Sequence, residues 1–497
     1  MASSHVLAID QGTTSTRAAI YDVSGRCVGS AAQELTQYYP QPAWVEHDAD
    51  EIWQSVAAVV PRALEAAGIS AGDVAAIGLT NQRETGVLWE RSTGKPVARA
   101  LVWQDRRTAD FCRQHQADEP WLTARTGLVL DPYFSATKIR WLLEQEAALR
   151  TRAETGKLAW GTIDSFLIWR LTAGKVHATD VTNASRTLLL NLQTVAWDEE
   201  LCRYFGVPRS LLAEVRPSAA DFGTTAGLAF LPDGLPITGA AGDQQAALFG
   251  QRAFTVGDAK CTYGTGAFFL SHTGSRPIFS KHRLLTTLAA TVDERPQYAL
   301  EGSVFVAGAA VQWLRDGLKL FESAAAVEEL ASRADAAQPV IFVPALVGLG
   351  APYWVPEAHG VLFGLTRGTT AAELARAALE GVAFQVADLV DAVAGDAGQP
   401  LLNLRVDGGM SRNAWFMQCQ ADLLGLPVLQ AAQSESTALG AAFLAGLRAG
   451  LWPDLDTLRR LPQGERRFEP RWPKEERQRR LAEWRRAVQA VIAFYTP

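Results

Sequence analysis

Two short loops rich in glycine and hydroxyl side chains lie in opposite halves of this 497-residue chain. The first, Asp10-Gln11-Gly12-Thr13-Thr14-Ser15-Thr16-Arg17, follows the apolar run Val6-Leu7-Ala8-Ile9, and the second, Tyr263-Gly264-Thr265-Gly266, follows shortly after Cys261. A strand running into a tight turn of Gly and Thr presents backbone N–H groups and hydroxyls that can wrap a phosphate chain. Two such loops facing one another would hold a nucleotide from both sides. With a third glycine turn, Val406-Asp407-Gly408-Gly409-Met410, the pattern reads as a two-lobed phosphotransferase.

Asp10 sits where the first strand gives way to its turn. Its carboxylate, directly or through water, would hold Mg²⁺ on the phosphates while Thr13, Thr14 and Ser15 donate to phosphate oxygens. An Asx turn closing a hairpin is the alternative for Asp10. Arg17 would neutralise charge developing on the transferred group. Further along, the buried-looking run 74–79 ends in the polar string Thr80-Asn-Gln-Arg-Glu-Thr85. Arg83 and Glu84 could form a surface ion pair there.

The elements that must position these groups are legible in outline. At this length two domains are expected, with a boundary near 250–258, so that 1–250 and 251–497 form two lobes. Residues 5–33 read as a three-stranded antiparallel meander. A helix follows over 50–67, capped by Asp48 or Asp50, with Ile52, Val56, Val59 and Val60 on one face. Helices are expected at 135–148, 307–320, 370–392, 413–424, 437–449 and 474–493, and strands at 237–241, 259–271, 298–303, 340–344, 402–406 and 427–429. This order repeats in the two halves, as in a duplicated α/β fold.

Composition excludes several classes. A net charge of −6 argues against nucleic acid or an acidic membrane surface as partner. Five scattered cysteines without a C-x-x-C pair indicate neither a zinc site nor a disulfide framework, and a reducing cytoplasm is the expected compartment. The segment 1–5 lacks a leader pattern, and no apolar run is long enough to span a bilayer.

Asp10 to Arg17 resembles the first phosphate loop of the actin, hexokinase and heat-shock chaperone superfamily, and within it the chain resembles the FGGY carbohydrate kinases. Six strings carry the likeness: Trp44-Val-Glu-His-Asp48, Thr80-Asn-Gln-Arg-Glu-Thr85, Trp103-Gln-Asp-Arg-Arg-Thr108, Asp131-Pro-Tyr-Phe-Ser135, Gly242-Asp-Gln-Gln-Ala-Ala-Leu-Phe-Gly250 and Gly348-Leu-Gly-Ala-Pro-Tyr-Trp354. The resemblance implies two RNase H-like lobes around a central cleft and phosphorylation of glycerol by Mg·ATP to sn-glycerol 3-phosphate. A related polyol or ketose is the alternative substrate, and an ATP-switched actin- or chaperone-like protein the alternative of another class.

The resemblance also implies roles. Arg83, Glu84, Tyr133 and Gln244 would hold the glycerol hydroxyls, with Trp103 and Phe268 walling the carbon skeleton or simply packing in the core. Asp243 would accept the proton of the attacking hydroxyl, a position that equally suits a helix N-cap. Thr265 would contact the β- and γ-phosphates, Gly308 and Gln312 would flank the nucleotide, and Gly409 beside Gly408 would let the backbone approach it, with Asn413 on the purine edge. A homodimer or homotetramer is expected. The stretch 221–236 lacks the glycine-rich basic loop and the histidine that carry allosteric control elsewhere in the family, so control by either route is not expected.

Overall fold

The computed structural model describes residues 4–335, 337–432, 435–462 and 464–496; residues 1–3, part of the segment searched for a leader, lie outside it. In the first half, β1 (His5–Gln11), β2 (Ser15–Asp22) and β3 (Cys27–Glu34) form the expected antiparallel meander. β4 (Val74–Asn81) adds parallel to β1, and β5 (Ile237–Gly242) adds parallel to β4, giving the order β5-β4-β1-β2-β3.

The second half repeats this plan. β6 (Ala259–Tyr263), β7 (Ala267–Gly274) and β9 (Tyr298–Val304) form an antiparallel meander, extended at its edge by β8 (Leu285–Leu288). β10 (Leu404–Asp407) lies parallel to β6 and β11 (Val428–Gln430) parallel to β10, in the order β8-β9-β7-β6-β10-β11 before a final antiparallel strand at Arg466–Phe468. The two glycine loops therefore occupy the same place in each lobe. Each is the turn of the first hairpin, closed by the pairs Gln11–Thr16 and Tyr263–Ala267.

Helix α1 (Ala49–Ala67) forms as expected: the Asp48 carboxylate accepts the N–H groups of Asp50 and Glu51, and Gly68 ends the helix in the left-handed region. Ile52, Val56, Val59 and Val60 are completely buried on its inner face. A four-stranded antiparallel sheet (Glu46–His47, Ala100–Leu101, Gly86–Glu90, Leu158–Thr162) is added beside the first lobe and delivers Trp103 to its edge.

The lobes meet along helices. α2 (Asp243–Gly250) follows β5, and α4 (Ser436–Arg448) follows β11, while α3 (Ala371–Ala397) covers the second sheet. A Cβ on Gly440 of α4 would lie 1.8 Å from the Ala246 carbonyl oxygen, and one on Gly78 of β4 would lie 2.1 Å from that of Ala441. Glycine is what lets α4 of the second lobe rest backbone to backbone on the first.

Three expected elements differ. The helix expected at 135–148 is two, Ser135–Gln145 and Ala147–Glu154, separated at the extended Glu146. The one expected at 307–320 is a short α-helix, Gly308–Gln312, passing into a π-turn at Trp313–Gly317. The helix after β5 takes Gly242 as its N-cap, so Asp243 is its first residue rather than its cap. All five cysteines are unpaired, and no helix among the described residues is long and apolar enough to cross a membrane.

Candidate active site

The first glycine loop is drawn tight by two backbone hydrogen bonds, Gly12 N–H to the Ser15 carbonyl and Leu35 N–H to the Thr14 carbonyl, both 2.9 Å. Thr14 is exposed and Ser15 half-buried, while the Thr13 hydroxyl accepts the indole N–H of Trp103 at 2.9 Å. Arg17, expected to face the transferred phosphoryl, pairs with Glu435 from the second lobe. Asp10 is the last residue but one of β1, paired with Thr80 of β4. Its carboxyl is pushed up to about 7, chiefly by burial and further by the carboxylates of Asp243 and Glu435, against the pull of Arg17.

That concentration of negative charge is what a hard divalent cation relieves. No group of three metal-ligating side chains gathers among the described residues, so Asp10 would hold Mg²⁺ together with phosphate oxygens and water, the usual arrangement for that ion.

Arg83 and Glu84 are both buried, so the surface-pair alternative falls, and they do not bond one another. The Arg83 guanidinium forks onto both carboxylate oxygens of Glu301 on β9, at 2.5 and 2.9 Å. It also donates to Gln245 Oε1 at 3.2 Å and turns its Nε toward Asp243 at 3.2 Å. Glu84, in the left-handed region at φ +60°, accepts Nε of Arg186 at 2.6 Å. Arg186 donates in turn to Glu301 at 3.1 Å and lies over the rings of Tyr133 and Phe134. Burial raises the Glu301 carboxyl, but Arg186, Arg83 and Lys260 outweigh it and hold it down at about 2.

Tyr133 meets Trp103 edge to face, 5.5 Å between centroids. The buried ammonium of Lys138 donates to the backbone carbonyls of both, at 3.1 and 3.3 Å, which fixes their relative position. Asp243 Oδ1 accepts the Gln244 N–H at 2.7 Å. Lys260 Nζ donates to Gln244 Oε1 and to Thr262, which fixes the Gln244 carboxamide through its oxygen. Phe268 stands half-buried on β7, between Thr262 and Ser303 on the neighbouring strands. One run of contacts thus joins Thr13, Trp103, Tyr133, Arg186, Glu84, Glu301, Arg83, Asp243 and Gln244.

In the second lobe a cavity of about 490 Å³ is lined by Thr265, Gly308, Gln312, Gly409, Met410 and Asn413, among others. The Gly308 N–H donates to the Gly264 carbonyl at 3.0 Å, and a Cβ on Gly308 would sit 2.6 Å from that oxygen. Gly408 is left-handed at φ +88°. The Asn413 carbonyl caps the helix Ala414–Leu424 through the Phe416 N–H, so its side-chain oxygen is committed to that cap. Of the residues expected at the nucleotide, Thr265, Gly308, Gln312, Gly409 and Asn413 line this one cavity, and Gly408 precedes Gly409 without lining it.

Sequence reasoning did not find Glu301, Arg186, Lys260, Gln245, Lys138 or Glu435. A signal existed for two of them. Glu301 and Lys260 are charges in the middle of otherwise apolar strands, positions where a charge persists only if paired.

Two duplicated α/β lobes, each with a glycine loop at the turn of its first hairpin and joined through buried charge, define a two-lobed α/β kinase fold. The model of the FGGY carbohydrate kinase N-terminal domain matches residues 5–250 and that of the C-terminal domain residues 259–449. The chain belongs to the FGGY family of carbohydrate kinases. It is 54% identical to a glycerol kinase of Allorhizobium ampelinum across 98% of this chain and 99% of that one. It is 51% identical to one of Geobacillus kaustophilus across 99% of both. Among solved structures, Plasmodium falciparum glycerol kinase with ADP superposes with a TM-score of 0.93 at 36% identity, over 98% of each chain.

Proposed function

We infer that the chain is an ATP:glycerol 3-phosphotransferase, and the observation that carries this is the polar cluster of Arg83, Glu84 and Asp243 set against Trp103 and Tyr133 at the first phosphate loop. Two aromatic rings give a short carbon chain an apolar wall, while Glu84 and Arg83, locked by Arg186 and Glu301, offer a rigid acceptor and donor for hydroxyls. In this reading residues 1–250 hold glycerol and the first phosphate loop, and residues 251–497 hold the nucleotide.

Asp243 takes the proton of a primary hydroxyl as that oxygen bonds to the γ-phosphorus and the bond to the β–γ bridging oxygen breaks, releasing ADP. Arg83 fixes the direction of the Asp243 carboxylate. Thr13, Thr14, Ser15 and Thr265 grip the phosphates from both lobes, and Arg17, once released from Glu435, reaches the transferred group. Bound Mg²⁺ supplies charge neutralisation at the phosphate oxygens. Gly308, Gln312, Gly409 and Asn413 seat the nucleoside, and Phe268 and Gln244 complete the alcohol pocket. The enzyme works in the cytoplasm as a homodimer or homotetramer.

ADP release measured across a panel of polyols and ketoses tests this. Glycerol is expected to give the highest kcat/KM, and Asp243→Ala to lower kcat by about 10²- to 10⁴-fold. A larger polyol or ketose matching glycerol would overturn the substrate, and near-normal turnover in the variant would remove Asp243 from the mechanism.

A further inference from the structure

The string Trp44-Val-Glu-His-Asp48 supplies none of the site residues, yet its histidine is completely enclosed behind them. His47 ends a strand of the added sheet and is 1% exposed. Its Nε2 lies 2.9 Å from Gln37 Oε1 and its Nδ1 3.2 Å from Gln82 Nε2. A carboxamide oxygen only accepts and its nitrogen only donates, so the ring is neutral, donating through Nε2 and accepting at Nδ1.

Both arms reach the phosphate loop. Gln37 Nε2 donates to the Thr13 carbonyl at 2.7 Å, and Gln82 Nε2 also reaches the Gly12 carbonyl at 3.1 Å. Gln82 leads to the alcohol pocket as well: its Oε1 accepts the Thr85 hydroxyl at 2.8 Å, and that hydroxyl accepts the Trp103 backbone N–H at 3.1 Å. The Trp103 indole N–H then returns to the Thr13 hydroxyl at 2.9 Å. The hydrogen bonds close into a circuit: Thr13, Gln37, His47, Gln82, Thr85, Trp103, Thr13. Its inner members Gln82, His47 and Thr85 are at most 1% exposed, where a polar group left unpaired is costly, and Gln82 Nε2 shares its two hydrogens among His47 Nδ1, the Gly12 carbonyl and Gln11 Oε1, the last at 3.1 Å.

We propose that His47 is a positioning residue through which occupancy of the alcohol pocket tightens the grip of the first loop on the triphosphate. Trp103 and Thr13 cannot shift independently while the circuit is intact. A polyol seated against Trp103 therefore fixes the Thr13 hydroxyl and carbonyl, and with them the loop that meets the phosphates. This rests on the reading of the site as one for glycerol and Mg·ATP.

The test is the dissociation constant of a non-hydrolysable ATP analogue with Mg²⁺, measured with and without saturating glycerol, alongside steady-state kinetics. His47→Leu breaks both arms, Gln37→Met breaks only the loop arm from a half-buried position, and His47→Gln keeps one acceptor and one donor. In the unsubstituted enzyme glycerol is expected to tighten analogue binding. In H47L and Q37M that enhancement is expected to fall roughly tenfold and the KM for ATP to rise by a similar factor, the loss of about one buried hydrogen bond. The KM for glycerol should move far less, and H47Q should regain most of the enhancement.

Should H47L not fold, Q37M decides. An enhancement equal to that of the unsubstituted enzyme in Q37M, or none in the unsubstituted enzyme, would overturn the proposal. Glycerol phosphorylation by the unsubstituted enzyme reports separately on the reading of the site, so the two fail distinguishably.

Discussion

Glu301 shows how the site depends on residues buried behind its exposed groups. It takes two hydrogen bonds from Arg83 and one from Arg186, at 0% exposure, so replacing it by Gln leaves two buried guanidinium groups short of counter-charge. With the carboxyl held at about 2 in the folded chain against 4.5 in the unfolded one, its stabilisation is complete above 4.5 and drains away as pH falls toward 2. Urea unfolding should find Glu301→Gln less stable by on the order of 3 kcal/mol at neutral pH, with the gap narrowing below pH 4.5. A gap constant from pH 7 down to pH 3 would contradict the ionised state assigned here. Arg83 and Glu84 were legible as a donor and an acceptor, but their true partners were not. Those partners stand 218 and 102 positions away, and no local spacing encodes a pairing made by the fold.

At the scale of elements, the seam between lobes is made of close backbone contacts that only glycine permits. A methyl group at Gly440 would overlap the Ala246 carbonyl, and both belong to helices that cannot separate without breaking the contact between lobes. Gly440→Ala should therefore cost about 1–3 kcal/mol and lower Tm, although Ala is the better helix former. An unchanged or raised Tm in a thermal melt would mean that the seam yields. The meander and α1 could be read in advance because alternation, capping and one apolar face act locally. The break at Glu146 and the π-turn at Trp313–Gly317 could not, because their surroundings, not their own residues, decide how the backbone bonds.

Across the whole molecule, duplication explains why two hairpin loops far apart in sequence occupy equivalent places. Each ends the first strand of its own lobe, and pairs such as Arg17–Glu435 and Arg83–Glu301 tie the two lobes together beside the cleft proposed between them. In the proposed cycle, closing that cleft brings the alcohol and the nucleotide together and excludes water. The decisive measurement is a crystal structure with glycerol and a non-hydrolysable ATP analogue bound together. It should place a primary hydroxyl of glycerol within about 2.6–3.2 Å of the Asp243 carboxylate, with the γ-phosphorus in line beyond it and the nucleoside in the cavity of Thr265 and Gly409. Glycerol seated away from Arg83, Glu84 and Trp103, or a γ-phosphate turned away from Asp243, would contradict that prediction.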